Sequence, residues 1–230
     1  MMGTEMIVGH AREDEKSSLR ALLLEKRGAI PVERRRNYSA RIAAGLRALN
    51  SYRTAARVMC YAAVRGEAET GGIIRECLER GARVALPRCD RATGRIEAWW
   101  IRDFDADLEI GCFGIPEPRS GDAAGALPGE IDLFIVPGVG FDPRGTRLGW
   151  GRGFYDALLA AAGPRAPKIG LSYEAQLLPR IAAGPRDVLM DMLVTEERTI
   201  DCGRIRATLD QVKQRPPGSR WDGGRCYHEP

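Results

Sequence analysis

The sequence has few of the residues that usually build a metal centre or a disulfide framework. It contains two histidines, His10 and His228, and both lie near the ends of the chain. Its six cysteines are far apart and none belongs to a Cys-x-x-Cys pair: Cys60, Cys77, Cys89, Cys112, Cys202 and Cys226. These spacings argue against a zinc site. Isolated cysteines in apolar segments are typical of a reducing compartment, so we expect a cytoplasmic protein.

Long hydrophobic runs are also missing. No stretch approaches the roughly 20 apolar residues that a membrane-spanning helix needs, so we expect no membrane partner. Residues 1–15 mix histidine, arginine and acids without an apolar segment, and we expect no export signal. The formal net charge of +4 favours small anions such as nucleotide phosphates, but it is too weak to indicate nucleic acid binding.

The chain has 230 residues, of which 44% are hydrophobic and 29% are charged, and this composition fits one globular domain. Leucines at helical spacing predict two N-terminal helices, over residues 14–28 and 31–49. Short apolar runs predict strands at residues 57–64, 82–87, 95–101, 131–137, 168–173 and 190–195, with helices at 69–80 and 154–162. Alternating strands and helices predict a three-layer α/β/α fold with a mostly parallel central sheet.

Two segments are poor in regular patterns. Residues 111–129 are rich in glycine, proline, serine and aspartate, which predicts a long irregular loop that carries part of a site. Beyond residue 200 the sequence becomes polar, so we expect a domain over residues 1–200 and a tail over 201–230 with no assigned role. Only residues 207–213 of that tail have a helical pattern.

The most informative segment is PGVGFDPRGTRLGWGRGFYD, residues 137–156, which directly follows a predicted buried strand. Ligands of open α/β sheets bind beyond the carboxyl ends of the strands. Gly149, Gly151 and Gly153 alternate, so backbone amides can approach phosphate oxygens, and the next helix presents free N–H groups to the same anion. The segment matches neither the Walker pattern nor the strict dinucleotide pattern.

Alternating glycines alone are more often just a tight turn between a strand and a helix. Here Arg147 and Arg152 add positive charge, and an aromatic pair and Asp156 follow, so we favour a phosphate site. Asp156 lies at the start of the predicted helix, where a carboxylate either caps free amides or holds Mg²⁺. The sequence leaves both roles open.

The segment from Pro137 through GFDPRGTRLGWGRGFYD resembles the signature of the 5-formyltetrahydrofolate cyclo-ligase family. The likeness covers roughly residues 14–200 and includes an early Lys-x-x-x-Arg, the Glu-x-Glu-Thr after the first strand and FGIPEP at 113–118. It implies a Rossmann-like fold of the NagB/RpiA/CoA-transferase type. It also implies an ATP- and Mg²⁺-dependent closure of 5-formyltetrahydrofolate to 5,10-methenyltetrahydrofolate through a phosphorylated imidate, with no protein nucleophile.

The resemblance also implies a role for individual residues. Around the ATP phosphates it places Lys16, Arg20, Arg147, Leu148, Gly149, Trp150, Gly151, Arg152, Gly153, Phe154 and Tyr155. Against the folate it places Ala62, Glu67, Phe113, Trp150, Gly151, Arg152, Gly153, Phe154 and Tyr155. Asp156 and Asp187 would hold Mg²⁺, and Lys16, Glu67 and Arg152 would support catalysis. Asp191 is a neighbour easily confused with Asp187, and Arg186 stands where the family often has histidine.

Two other classes of protein stay open at this point. A non-catalytic nucleotide- or RNA-binding relative would keep the fold without turnover. A sugar-phosphate isomerase or an acyl-carrier transferase on a related architecture would need no ATP. We expect ATP and 5-formyltetrahydrofolate, possibly polyglutamylated, as the small-molecule partners, and a monomer or a homodimer.

Overall fold

The computed structural model describes residues 2–90, 93, 95–119 and 124–213. The predicted tail beyond residue 213 and part of the predicted 111–129 loop lie outside the described residues. The helices are α1 (Met2–Gly28), α2 (Val32–Ala48), α3 (Asn50–Thr54), α4 (Gly71–Glu79), α5 (Phe154–Ala160) and α6 (Cys202–Lys213). None of the helices in these ranges is both long and apolar enough to cross a bilayer.

The strands form one large sheet and two small hairpins. Their bounds are β1 (Arg57–Met59), β2 (Arg83–Cys89), β3 (Ile96–Ile101), β4 (Leu108–Ile110), β5 (Pro116–Pro118), β6 (Gly125–Ala126), β7 (Leu133–Val136), β8 (Gly140–Phe141), β9 (Arg147–Leu148), β10 (Lys168–Leu171), β11 (Met192–Val194) and β12 (Thr199–Asp201). The eight-stranded sheet has the order β12-β11-β10-β7-β1-β2-β3-β6. Strands β11, β10, β7, β1 and β2 are parallel, and β12, β3 and β6 pair antiparallel at the two edges.

Helices cover both faces of this sheet, which confirms the predicted three-layer α/β/α fold. In β7, Leu133 and Ile135 pack with α2 and α4 on one face, and Phe134 and Val136 pack with α5 and α6 on the other. Adjacent strand residues point to opposite faces, so a strand buried on both sides reads as a continuous apolar run. All four residues of β7 are buried, as its sequence predicts.

The first strand is shorter than predicted. It ends at Met59, although the apolar run continues to residue 64. The amide of Cys60 still donates to the carbonyl of Ala85 in β2, but beyond it the chain leaves the sheet. The carbonyl of Tyr61 accepts a hydrogen bond from the Thr70 hydroxyl instead of pairing with a strand. Tyr61 and Ala62 stay buried in the wall of this loop. Apolar sequence alone does not separate a buried strand from a buried loop.

The last helix is longer than predicted. It begins at Cys202, five residues before the expected start at 207, and Cys202 is fully buried. The guanidinium of Arg206 donates to the carbonyl oxygens of Arg144 and Met190, at 2.6 and 2.9 Å. These contacts join α6 to the sheet and to the segment after β7. The role of residues 201–230 stays unassigned.

Candidate active site

The glycine-rich segment begins as a hairpin that the sequence did not predict. Strands β8 and β9 pair after the carboxyl end of β7, and the buried Asp142 closes the turn between them. Its Oδ1 accepts from the amide of Thr146 at 2.9 Å, and its Oδ2 accepts from the amide of Ile181 at 2.9 Å. Gly145 has φ 89°, a value that favours glycine. The turn thereby fixes where Arg147 enters the site.

Arg147 is one of two buried arginines among the described residues. Its side chain is 5% exposed, and its Nη2 donates to Asp156 Oδ2 at 2.8 Å. Its Nε is buried and has no hydrogen-bond partner within the described residues. A buried charged donor without a partner is costly, and a bound anion would supply the missing acceptor.

Asp156 does not cap its own helix. Gly153 occupies the N-cap position of α5, and no side chain caps that end. The carboxylate of Asp156 instead accepts from Arg147 and, through Oδ1, from the amide of Val188 at 3.2 Å. The sequence leaves two roles open for Asp156, capping the helix and holding Mg²⁺. Because its carboxylate is not used as a cap, these contacts favour the second role.

Helix α1 carries the predicted Lys16 and Arg20 pair to the same place. Lys16 Nζ lies 3.1 Å from Asp187 Oδ2, and Arg20 Nε donates to the carbonyl of Gly149 at 2.9 Å. Gly151 has φ 91°, and the guanidinium of Arg20 packs closely against it. A Cβ added at Gly151 would lie 3.2 Å from Arg20 Cζ. The helix is therefore docked closely onto the glycine-rich loop, with both cations beside it.

The two predicted metal ligands are near neighbours. Asp187 Oδ2 accepts from the Gly184 amide at 2.8 Å, and the next residue, Val188, donates to Asp156. Asp191 has a different role, because its carboxylate accepts from the Lys168 amide in the sheet at 2.8 Å. Arg186, which stands where the family often has histidine, is exposed.

The donor set suits a hard cation that shares its ligands with a phosphorylated molecule. Carboxylate oxygens are the groups that Mg²⁺ prefers, and Mg²⁺ is commonly held by one or two carboxylates plus phosphates and water. Within the described part of the chain, no group of three or more His, Cys, Asp and Glu residues could hold a metal by itself. Asp156 and Asp187 fit this arrangement, with Lys16 and Arg147 as their present counter-charges.

Glu67 and Arg27 form a second buried pair, in a separate part of the site. Glu67 lies in the loop after β1, where its Oε2 accepts from the Val64 amide at 3.2 Å. Burial raises the pKa of Glu67 above the usual value, while the Val64 amide and Arg27 oppose that shift. Arg27 Nη1 is 3.9 Å from Glu67 Oε1. Sequence reasoning missed Arg27, although it continues the helical stripe of Lys16 and Arg20.

Exposed aromatic rings lie beside this pair. Trp150 is 46% exposed, and the guanidinium of Arg65 lies 4.9 Å from its ring centroid. Phe113 is 54% exposed with φ 60°, and the guanidinium of Arg152 lies 4.7 Å from its ring. Arg65 also donates to the Phe113 carbonyl at 3.1 Å. These contacts bring the FGIPEP loop to the glycine-rich loop and leave planar faces for a ring to stack on.

Three predicted site residues contribute little exposed side chain. Leu148 is buried against Leu23 of α1, and Ala62 is buried in the wall beside Glu67. Tyr155 packs against the apolar core below α5, with Arg147 Cζ 5.5 Å from its ring. Any contact that Leu148 makes with a ligand would therefore use its backbone. The ligand roles assigned to all of these residues stay predictions.

The fold and this site together define an α/β protein with a built anion site at the carboxyl end of a parallel sheet. The comparisons with known proteins agree with that class. The model of the 5-formyltetrahydrofolate cyclo-ligase family matches residues 12–196, and the chain belongs to this family. The 5-formyltetrahydrofolate cyclo-ligase of Mycolicibacterium smegmatis is 34% identical over 188 residues, which are 80% of this chain and 95% of that protein. The mouse enzyme of the same name is 27% identical and covers 79% of this chain and 94% of its own length.

Solved structures show the same fold. The 5,10-methenyltetrahydrofolate synthetase of Aquifex aeolicus superposes with a TM-score of 0.72 at 32% identity, over 81% of this chain and 92% of its own. The corresponding protein of Mycoplasma pneumoniae has a TM-score of 0.64 at 24% identity, over 79% and 98% of the two chains. At that identity the second likeness bears on the fold alone.

Proposed function

We propose that this protein catalyses the ATP-dependent cyclisation of 5-formyltetrahydrofolate to 5,10-methenyltetrahydrofolate, with release of ADP and phosphate. The observation that carries the proposal is the convergence of the two ion pairs, Lys16–Asp187 and Arg147–Asp156, on the glycine-rich loop of a chain from this family. The matched relatives are named as cyclo-ligases and synthetases, and this chain has both carboxylates beside the cations. This arrangement favours the enzyme over a non-catalytic relative.

In the reaction, the formyl oxygen attacks the γ-phosphorus of ATP, and ADP leaves. The neighbouring folate nitrogen then attacks the carbon of the phosphorylated imidate, the ring closes, and phosphate leaves together with the proton of that nitrogen. Such transfers depend on positioning and on electrostatic stabilisation rather than on a protein nucleophile. In this chain Lys16, Arg20 and Arg147 would hold the phosphates in line with the formyl oxygen. Arg152 lies on the exposed side of the same loop and would complete this group.

Mg²⁺, when bound at Asp156 and Asp187, would offset phosphate charge. The two carboxylates are already held in place by Val188 and Gly184 amides, so little rearrangement of the protein is required. Lys16 and Arg147 would exchange their carboxylate partners for phosphate oxygens. Cytoplasmic location, the state of assembly and any preference for polyglutamylated folate stay predictions.

The direct test mixes the purified full chain with 5-formyltetrahydrofolate, ATP and Mg²⁺ and follows the near-ultraviolet absorbance of the methenyl product. We expect product only when ATP and Mg²⁺ are both present. Turnover without ATP would favour an isomerase or a transferase. No product from a folded chain that still binds ATP would favour the non-catalytic relative, and a steeply salt-dependent affinity for RNA would identify that relative further.

The buried position of Glu67 predicts a specific pH dependence. Only the carboxylate form can accept paired hydrogen bonds from the aminopyrimidine part of the folate. Because burial raises the pKa of Glu67, it gains a proton at a higher pH than an exposed glutamate does. We therefore expect kcat/KM for the folate to decrease as the pH is lowered. The decrease should begin at a pH above the usual titration range of glutamate.

Glu67→Gln should have low kcat/KM and lack this acidic limb. Glu69→Gln is the matched control, because Glu69 lies in the same loop but is exposed. It should keep the wild-type profile. An acidic limb that persists unchanged in Glu67→Gln would show that another group titrates.

A further inference from the structure

Arg27 is an unexplained buried charge. It is 1% exposed, and its Nη1 has no hydrogen-bond partner within the described residues. The nearest carboxylate oxygen, Glu67 Oε1, lies 3.9 Å away, which is too far for a hydrogen bond. Buried charged donors are almost always paired, so this one calls for an acceptor that the protein does not supply.

The position of Arg27 on α1 separates it from the phosphate end of the site. Lys16, Arg20, Leu23 and Arg27 lie within about 60° of one another around the helix, so they form one stripe. Arg27 lies seven positions after Arg20, which is about 10 Å along the helix axis. Lys16 and Arg20 contact Asp187 and the glycine-rich loop. Arg27 instead lies beside Glu67, with its Cζ 5.9 Å from the centroid of the Trp150 ring.

Its surroundings suit a neutral ring better than another phosphate. The carboxylate of Glu67, itself buried, would repel an anion placed directly between the two side chains, while Arg35 and Arg65 add positive charge around the pair. Side by side, the pair offers one donor from Arg27 followed by two acceptors from Glu67. A pterin ring presents the complementary row: the 4-carbonyl oxygen accepts, and the N3–H and the 2-amino group donate. The exposed face of Trp150 lies next to this row, where the ring could stack.

We propose that Arg27 is a specificity-determining residue that donates to the 4-carbonyl oxygen of the folate pterin, beside Glu67, which accepts from N3–H and the 2-amino group. This assignment rests on the proposed function, because it needs a folate in the site. It explains why a guanidinium is buried with a free N–H. It also makes Arg27 contribute to the preference for 4-oxo folates over 4-amino folates. A 4-amino group would set donor against donor at Arg27, and the missing N3 hydrogen would separately weaken the contact with Glu67.

The test compares two ligands on three proteins by titration calorimetry. The ligands are 5-formyltetrahydrofolate and its 4-amino-4-deoxy counterpart, and the proteins are the wild type, Arg27→Met and Lys26→Met. Arg27→Met should weaken binding of the 4-oxo compound by about 10- to 100-fold, the value of a charge-assisted hydrogen bond, and leave or improve binding of the 4-amino compound. Lys26→Met removes a neighbouring exposed charge and should change neither affinity.

Equal weakening of both ligands in Arg27→Met would overturn the assignment, because Arg27 would then act only by supporting Glu67 or the fold. If Arg27→Met shows no cooperative melting, Arg27→Gln replaces it, since a glutamine keeps a neutral donor. In Arg27→Gln, the ratio of the affinities for the 4-oxo and 4-amino compounds should be smaller than in the wild type but still above one. An unchanged ratio would contradict the proposal. A folded wild type that binds neither folate and forms no methenyl product would overturn the proposed function and this assignment together.

Discussion

Replacing Arg147 with methionine should lower kcat by about 100- to 1,000-fold, the cost of removing one preorganised charged donor at a transferring group. Arg147 is the buried cation of the phosphate end, and its Nε has no acceptor within the described residues. The hairpin of β8 and β9 fixes the backbone of Arg147 before any ligand arrives, so only its side chain has to exchange Asp156 for a phosphate oxygen on binding. Initial rates at saturating folate over a range of ATP concentrations would measure the loss.

This variant also leaves the carboxylate of Asp156 without its cation, so stability has to be followed in parallel by thermal unfolding. Arg147→Lys keeps the charge and loses the planar fork, and it should keep more activity than the methionine variant. Arg165→Met is the control, because Arg165 is exposed beyond α5. A folded Arg147→Met with kcat within about 3-fold of the wild type would remove Arg147 from the transition-state contacts.

The central fold could be predicted because its signals are local. The apolar run of β7 marks a strand buried on both faces, and Gly28 and Pro31 mark the break between α1 and α2. The strands of the β8–β9 hairpin carry no such signal, since two-residue strands have no measurable period, and only the turn between them is marked, by Asp142, Pro143 and Gly145. The hairpin exists because Asp142 bonds to Thr146 and to Ile181, and the second of these residues is distant in sequence.

The charged residues of the site also include some that the sequence predicts and one that it does not. The family resemblance predicts Lys16, Arg20 and Asp187, whereas Asp156 already follows from its place at the start of the predicted helix. In the structure Lys16 contacts Asp187, Arg20 contacts the glycine-rich loop and Asp156 accepts from the amide of Val188. Arg27 was not predicted, because a basic residue just before a helix-ending glycine usually interacts with solvent and the helix dipole. It lies beside Glu67, which arrives from the loop after β1. Only the tertiary fold joins these two segments.

Replacing Asp187 with asparagine should raise the Mg²⁺ concentration needed for half-maximal turnover by at least about 10-fold. Asp187 and Asp156 are near neighbours, because Asp187 accepts from the Gly184 amide and the residue after Asp187, Val188, donates to Asp156. An asparagine keeps the size of the side chain and one acceptor, but it loses the charge that a divalent cation requires. Rates measured across a Mg²⁺ titration, with calorimetry of Mg²⁺ and ADP as a second readout, would detect the change.

Asp191→Asn is the matched control for this experiment, because Asp191 lies four residues away and serves the sheet. Its carboxylate accepts from the amide of Lys168, so the substitution should cost about 1 kcal/mol of stability while leaving the Mg²⁺ titration unchanged. The two variants would thus separate a carboxylate proposed to hold Mg²⁺ from one that accepts a hydrogen bond within the sheet. If Asp191→Asn shifted the Mg²⁺ requirement and Asp187→Asn did not, the metal would lie nearer the sheet than the Lys16–Asp187 pair indicates.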